Sequence, residues 1–190
     1  DLTCFSFHPR KLLCTGEGGA IVTGNDEWAR QLEIKLLHGG VAHNKIGMDF
    51  VDFGYNFRMT ELQAVMGIKQ LNTLDTVIRH RNNIRNQYIS KLSPLNFTPQ
   101  HLGETVGYNV QSLVFKMPDG YDRDALIGFL REKDIEATLG TYCQSRTTYY
   151  FDRYQNIQPT AMALEQNTIT LPCYDKVPVD YIVGCINEWL

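Results

Sequence analysis

One short stretch near the start of the chain combines residue types that could form a covalent site. Residues 5–19 read FSFHPRKLLCTGEGG, with one lysine, Lys11, directly after Arg10 and before two leucines. An amine becomes a good nucleophile toward an aldehyde when burial or neighbouring cations favour its neutral form. Arg10 and His8 are candidates for such neighbours, so Lys11 is a candidate Schiff-base lysine. From the spacing alone, a lysine that follows a strand is more often simply solvated.

The same stretch contains groups suited to a phosphate. Ser6 lies five residues before Lys11, and its hydroxyl can donate a hydrogen bond to a phosphate oxygen. The glycines of residues 16–19 allow the backbone to approach a ligand closely. Ser6 and Lys11 can line one pocket if the strand ends between them.

A second motif lies later in the chain, and the two motifs occur in the order found in a known protein family. FSFHPRKLLCTGEGGAIVT, the later GYNFRMTELQAVMGIKQLNTLD, and the segments TLGTY and TLPCY resemble the DegT/StrS-type nucleotide-sugar aminotransferases. These are pyridoxal-phosphate enzymes of the aspartate-aminotransferase fold, and the resemblance covers essentially the whole chain. It implies an α/β fold: the C-terminal part of the large cofactor-binding domain, followed by a smaller α+β domain.

The resemblance implies roles for the cofactor-binding residues. In that family the lysine of the first motif, here Lys11, forms the Schiff base with pyridoxal phosphate, and the serine, here Ser6, binds the cofactor phosphate. The asparagine of the second motif, here Asn56, reaches the phosphate of the cofactor in the other subunit. A homodimer with shared active sites is therefore expected.

The resemblance also suggests substrate contacts. His8 is expected beside the cofactor and the reacting amine, and Arg58 is near enough to Asn56 to belong to the shared pocket. Many relatives carry a histidine a few residues after the TY strand, where this chain reads TYCQSR. Arg146 could instead face a diphosphate, because a guanidinium suits that geometry.

The expected reaction moves an amino group from an amino acid, commonly glutamate, to a keto group of a nucleotide-linked sugar. A sugar dehydratase on the same fold is an alternative, but those relatives commonly replace the Schiff-base lysine with histidine, so Lys11 argues against it. A non-catalytic module derived from the fold is a further alternative.

Family members are about twice as long, and their upstream half carries an aspartate for the pyridine nitrogen and an aromatic residue that stacks on the ring. This chain begins without Met where that half should end, which suggests part of a longer polypeptide.

The local patterns predict the elements that position the first motif. Alternation predicts strands at residues 2–7 and 18–24, and Asn25 caps a predicted helix that stops at Gly39. Residues 40–55 show little periodicity and are predicted to form a loop.

Helices are predicted in the middle of the chain. Thr60 and Gln63 resemble a capping box, and two helices follow, the second long and charged. Its arginines are expected on a solvated face; these are Arg79, Arg81 and Arg85. The long helix is a plausible bridge between a first segment, 1–72, and a second domain, 73–190.

The remaining patterns predict alternating strands and helices. Strands are predicted at 108–118, 135–142 and 168–174, and helices at 122–134, 159–168 and 178–190. The aromatic segment 148–154 is expected in a core or an interface.

Composition narrows the class of protein. With 43% hydrophobic and 21% charged residues, the chain is typical of a soluble globular protein. A net charge of −3 argues against nucleic acid as the main partner, and the apolar runs are too short for a membrane span. The histidines have no metal-site spacing, and five cysteines without a CxxC pair indicate reduced thiols of a cytoplasmic protein.

Overall fold

The chain divides into two compact units. A computed structural model describes residues 1–43, 47–101, 103 and 107–190. The units are Asp1–Asp75, the N-terminal unit, and Thr76–Leu190, the C-terminal unit. The boundary lies three residues after the predicted division into 1–72 and 73–190. The assignment of those ranges to a cofactor-binding domain and a small domain stays a prediction.

Two paired strands open the N-terminal unit. Strand β1 (Leu2–Ser6) pairs antiparallel with β2 (Gly19–Thr23), so that Ser6 lies opposite Gly19. The predicted strands are therefore confirmed. The connection between them, residues 7–18, starts and ends at the same end of the two-stranded sheet.

Helix α1 (Asp26–Leu36) begins where its cap predicts. The Asn25 side chain accepts hydrogen bonds from the Glu27 and Trp28 backbone amides, both at 3.0 Å. Gly39, with φ of +81°, follows the end of the helix in a conformation that favours glycine. The predicted helix is confirmed.

The loop predicted at residues 40–55 is partly wrong. Strands β3 (Gly40–His43) and β4 (Gly47–Phe50) pair antiparallel, with Gly40 opposite Phe50. All four residues of β4 are exposed, so the segment has no buried face to impose an alternating pattern. Backbone pairing joins the two strands, and the sequence pattern could not show it.

Two helices follow, as predicted. Helix α2 (Glu61–Leu71) starts with the capping box: Gln63 N–H donates to Thr60 Oγ1 at 3.3 Å, and Thr60 N–H donates to Gln63 Oε1 at 2.9 Å. Helix α3 (Leu74–Leu92) is followed by a 3₁₀ turn, Ser93–Leu95.

A four-stranded antiparallel sheet forms the centre of the C-terminal unit. Its strands are β5 (Thr98–Pro99), β6 (Leu113–Lys116), β7 (Thr138–Leu139) and β8 (Thr168–Leu171), in the order β5-β6-β8-β7. The three predicted strands are present but shorter than predicted. One reason is Val110, whose φ of +53° is incompatible with an extended strand through residues 108–118.

The C-terminal helices are α4 (Arg123–Glu132), α5 (Thr148–Tyr154), α6 (Pro159–Asn167) and α7 (Val179–Trp189). Three of them confirm the predicted helices, and α4 contacts α7, β7 and β8. Helix α5 was not predicted. It buries none of its residues within the described part of the chain, so the core alternative for segment 148–154 is wrong and the interface alternative stays a prediction.

The hydrophobic core lies in the C-terminal unit. Its largest fully buried side chains include Tyr88, Phe97, Phe115, Leu126, Ile169 and Ile186. Burial raises the pKa of the Tyr88 phenol, whose oxygen has no hydrogen-bond partner among the described residues. Of the described N-terminal unit, only Leu13 belongs to the buried apolar residues. The N-terminal unit therefore depends mainly on backbone pairing and capping within the described chain.

The expected solvated arginine face of α3 is wrong for Arg81. Its guanidinium donates to the carbonyl of Val110 at 2.8 Å, to that of Gln111 at 3.3 Å, and to that of Cys173. One side chain therefore links α3 to the segments before β6 and after β8. Arg81 has a structural role that helical periodicity alone does not reveal.

Candidate active site

The connection between β1 and β2 brings three of the predicted site residues together. His8 N–H donates to Ser6 Oγ at 3.4 Å, and Lys11 N–H donates to the His8 carbonyl at 2.8 Å. Arg10 N–H donates to His8 Nδ1 at 3.2 Å. The backbone from Ser6 to Lys11 is thus a tight turn. The Ser6, His8 and Lys11 side chains are all exposed in this chain.

Backbone hydrogen bonds join the start of this connection to its end. Phe7 N–H donates to the Gly18 carbonyl at 2.9 Å, and Thr15 N–H donates to the Phe7 carbonyl at 3.0 Å. Thr15 is buried, and its hydroxyl donates to the Glu17 carbonyl at 2.7 Å. The segment that carries Lys11 is therefore a closed loop anchored at both ends.

Asn56 is held by the end of α1. It forms an antiparallel bridge with Leu37. On either side, His38 N–H donates to the Tyr55 carbonyl at 2.9 Å, and Phe57 N–H donates to the Leu36 carbonyl at 3.2 Å. The backbone of Asn56 is fixed by these bonds while the residue stays exposed.

Exposed aromatic residues surround Asn56. The Phe53 and Tyr55 rings meet edge to face with centroids 4.9 Å apart, and Tyr55 stacks on Phe57 at 4.8 Å. Arg58 follows this aromatic series and is also exposed. An exposed apolar surface of this kind is typical of a contact with further polypeptide.

Arg146 lies in the C-terminal unit, in a 3₁₀ turn, Gln144–Arg146. Its Nη1 lies 3.0 Å from Glu165 Oε2, and the two side chains are 42% and 21% exposed. Part of the guanidinium is thus engaged by a carboxylate of α6. Five donors on one guanidinium leave capacity for a second acceptor.

A groove of about 330 Å³ lies elsewhere in the N-terminal unit. Its lining comes from α1 and β3 and includes Arg30, Glu33, Leu37 and Val41. None of the predicted site residues lines it. The groove therefore gives no support to a site around Lys11.

The donor set of the N-terminal unit suits a ligand with an aldehyde and a phosphate. Lys11 offers a primary amine, Ser6 a hydroxyl, and Asn56 an amide. The open space around Gly16, where a Cβ would have no neighbour within 4 Å, leaves that part of the loop accessible. Among the described residues, no group of three or more His, Cys, Asp or Glu side chains could hold a metal ion. Over the same residues, no helix combines the length and apolar character needed to cross a membrane.

The sequence as a whole matches one family. The sequence model of the DegT/DnrJ/EryC1/StrS aminotransferase family matches residues 1–187. The chain belongs to this family. The resemblance inferred from the two motifs is thereby confirmed.

Named relatives of this aminotransferase family act on nucleotide-linked sugars. The chain is 32% identical to GDP-perosamine synthase from Vibrio cholerae, over 100% of this chain and 53% of the relative. It is 40% identical over 88 residues to UDP-4-amino-4,6-dideoxy-N-acetyl-beta-L-altrosamine transaminase from Campylobacter jejuni, which is 46% of this chain and 23% of the relative.

A solved structure of a sugar aminotransferase confirms the fold. The PMP form of the putative sugar aminotransferase Spr1654 from Streptococcus pneumoniae superposes with a TM-score of 0.89 at 26% identity. The match covers 99% of this chain and 52% of that one. The predicted fold, an α/β part of an aspartate-aminotransferase-like enzyme, is confirmed. The chain spans about half the length of the relatives that it matches throughout.

Two residues that hold the Lys11 loop were not predicted from the motifs. Gln63 was identified only as part of a capping box, and Gln70 was not identified at all. Both contact the loop backbone at residues 14 and 17. Their i, i+7 spacing places both glutamines on one face of α2, which the sequence shows. The sequence does not show which segment that face contacts.

Proposed function

We propose that the complete protein is a pyridoxal-phosphate-dependent aminotransferase. It moves an amino group from an amino acid, with glutamate as the expected donor, to a keto group of a nucleotide-linked sugar. One observation carries this proposal: a member of an aminotransferase family presents a single lysine, Lys11, on an anchored loop that follows directly after Ser6. The names of the relatives support the class of acceptor.

The residues of this chain have distinct roles in that reaction. Pyridoxal phosphate, when bound, supplies an electron sink that stabilises negative charge on the carbon next to the reacting nitrogen. The Lys11 amine would hold the cofactor through its aldehyde, and Lys11 Nζ would take and return a proton in the reaction. The Ser6 hydroxyl would donate to the cofactor phosphate.

Three residues are assigned to substrate contacts in this proposal. His8, whose backbone carbonyl accepts from Lys11 N–H in the turn, is assigned to the reacting amine, and Arg58 adds positive charge near Asn56. Arg146 offers a guanidinium to the diphosphate of the acceptor, since Arg can donate two parallel hydrogen bonds to such a group.

The active enzyme is a homodimer in this proposal. The Asn56 amide would donate to the cofactor phosphate of the neighbouring subunit. The exposed Phe53, Tyr55 and Phe57 rings support such an interface, because they flank Asn56 on a surface that the described chain leaves uncovered. The enzyme is proposed to act in the cytoplasm, in keeping with its five free cysteines.

Two other functions have less support. A sugar dehydratase on this fold commonly carries histidine at the position of Lys11, whereas this chain carries lysine. A non-catalytic module would need no reactive amine at the end of an anchored turn. The relatives named as a transaminase and as a perosamine synthase favour the aminotransferase.

Borohydride reduction tests the proposed role of Lys11. The full-length protein is incubated with pyridoxal phosphate, reduced, digested and analysed by mass spectrometry, and we expect a pyridoxyl group on Lys11. Lys11→Ala should lose the group and lower the transamination rate by about 10²- to 10⁴-fold, because it removes the proton-transferring amine.

Lys69→Ala provides the matched control, because Lys69 is an exposed lysine on α2 of the same unit. It should retain the pyridoxyl group on Lys11 and the transamination rate. A full-length protein that develops no visible chromophore and no label on Lys11 would contradict the aminotransferase proposal and favour a non-catalytic module.

A further inference from the structure

One face of α2 packs against the Lys11 loop, residues 7–18. Gln63, Gly67 and Gln70 occur at i, i+4 and i+7, so they lie on the same side of the helix. Gly67 is the buried residue of this helix, and a Cβ placed there would lie 3.3 Å from Thr15 Cγ2. Because Gly67 has no side chain, α2 can lie close to the loop at Thr15.

The two glutamines bind the loop backbone on either side of Thr15. Gln70 Oε1 accepts from Cys14 N–H at 2.9 Å, and Gln70 Nε2 donates to the Cys14 carbonyl. Gln63 Nε2 donates to the Glu17 carbonyl at 2.8 Å. The loop segment 14–17 is thus held at both ends by side chains that come from residues 46 and 56 positions later in the chain.

These bonds restrict the backbone close to Lys11. Lys11 lies three residues before Cys14, and Leu13 between them is the buried apolar residue of the described N-terminal unit. The Lys11 backbone is fixed on its other side by the bond from its N–H to the His8 carbonyl. Fixing Cys14 therefore limits where Lys11 can lie.

We propose that Gln63 and Gln70 are positioning residues for Lys11. They bind the backbone at Cys14 and Glu17 and so hold the Lys11 amine in one place for its reaction with an aldehyde. This inference rests on the proposed function of Lys11. It adds that α2, through two neutral amides, determines where the backbone of the reactive lysine lies.

Gln63 allows the positioning role to be separated from helix capping. Its Oε1 accepts from Thr60 in the capping box, while its Nε2 donates to Glu17. Gln63→Glu keeps an acceptor for the capping box, in which glutamate is an equally suitable residue, but loses the donor to Glu17. Gln70→Glu similarly keeps the acceptor for Cys14 N–H and loses the donor to the Cys14 carbonyl.

The experiment measures amide exchange and chromophore formation in the full-length protein. Each variant should exchange the Thr15 and Lys11 amides about three- to tenfold faster, the size expected for one lost hydrogen bond. The Lys11 amide bonds to neither glutamine, so its faster exchange reports a displacement transmitted along the loop.

The same variants are mixed with pyridoxal phosphate at a series of pH values. The visible chromophore should form more slowly, and its pH midpoint should shift toward that of the cofactor with a free amine in solution. A role confined to global stability would not move this midpoint. The matched control is Gln31→Glu on the exposed face of α1, which should leave exchange, rate and midpoint unchanged.

The outcomes separate the two proposals. A wild-type protein that forms no chromophore contradicts the proposed function itself. A wild-type protein that forms it, with Gln63→Glu and Gln70→Glu variants that match its midpoint and its Lys11 exchange, overturns the positioning role alone. Faster exchange limited to Cys14 and Thr15, with an unchanged midpoint, also overturns it.

Discussion

Lys11 and Arg146 show how differently the two units present their candidate side chains. Lys11 is exposed on a loop whose backbone is held by hydrogen bonds. Arg146 already has a carboxylate partner, Glu165, 3.0 Å away. An exposed ion pair contributes little to stability, so its effect on the orientation of the guanidinium matters more than its strength. Glu165 both orients Arg146 and competes with any anionic ligand for it.

This competition leads to a prediction about diphosphate binding. In the full-length protein, Arg146→Ala should weaken the binding of UDP and GDP by about tenfold or more, as expected for lost hydrogen bonds from a charged group. Glu165→Gln should leave binding unchanged or tighten it, because the competing charge is removed. Isothermal titration calorimetry measures both effects.

Arg153→Ala is the control for Arg146, because Arg153 lies nearby on α5 and contacts the Tyr154 ring instead of a carboxylate. It should leave the affinity for UDP and GDP unchanged. Equal affinities of wild type and Arg146→Ala would rule out Arg146 as the diphosphate residue.

At the scale of elements, close backbone contacts determine where Asn56 lies. A Cβ at Gly54 would collide with the Gly39 nitrogen and lie 2.8 Å from the Lys35 carbonyl and 2.9 Å from the His38 carbonyl carbon. All three neighbours are backbone atoms, which cannot move aside as a flexible side chain does. The segment that leads to Asn56 can therefore follow the end of α1 only with glycine at position 54.

Gly54→Ala should consequently disturb this pairing. We expect a loss of about 1–3 kcal/mol in the free energy of local opening, the usual cost of overpacking. The measurement is amide exchange at His38 and Phe57, which donate to the Tyr55 and Leu36 carbonyls. Gly24→Ala is the control, because a Cβ there has no neighbour within 4 Å. Exchange rates at His38 and Phe57 equal to those of the control would refute the prediction.

At the scale of the whole molecule, the two units differ in how they are stabilised. The C-terminal unit has an antiparallel sheet with a continuous buried cluster. The N-terminal unit exposes many large apolar residues, among them Phe50, Phe53, Phe57 and Leu62. Since apolar burial is the main source of folding free energy, the N-terminal unit is the one whose stability depends most on additional contacts.

A complementation experiment tests the proposed sharing of active sites. Full-length Lys11→Ala and Asn56→Ala proteins should each have low activity when prepared alone. If Asn56 serves the neighbouring subunit, a mixed dimer contains one site with both Lys11 and Asn56 intact, and activity returns. If Asn56 serves its own subunit, both sites of the mixed dimer carry a substitution. Transamination assays on co-expressed, differently tagged subunits distinguish these results.

Much of the fold was predictable because many signals are local. Asn25 and Thr60 each bind amides within three residues, so the starts of α1 and α2 follow from short sequence patterns. In the C-terminal unit, α4 likewise begins at a local cap, because the Asp122 side chain accepts from the Asp124 and Ala125 amides. The missed elements, β3, β4, β5 and α5, are short and mostly exposed, and without a buried face a segment shows no clear hydrophobic period.

The sequence by itself determined the family, the helix starts and the order in which Ser6, His8 and Lys11 follow one another on one connection. Only the tertiary structure decided that Gln70 binds Cys14, that Arg81 binds Cys173, and that Asn56 pairs with Leu37. The physical reason is that these contacts are made to backbone N–H and C=O groups. Gln70 and Arg81 bind the backbone of Cys14 and Cys173, and Asn56 pairs with Leu37 through the backbone of both. Because every residue has a backbone, the residue type does not indicate which one a distant segment will bind.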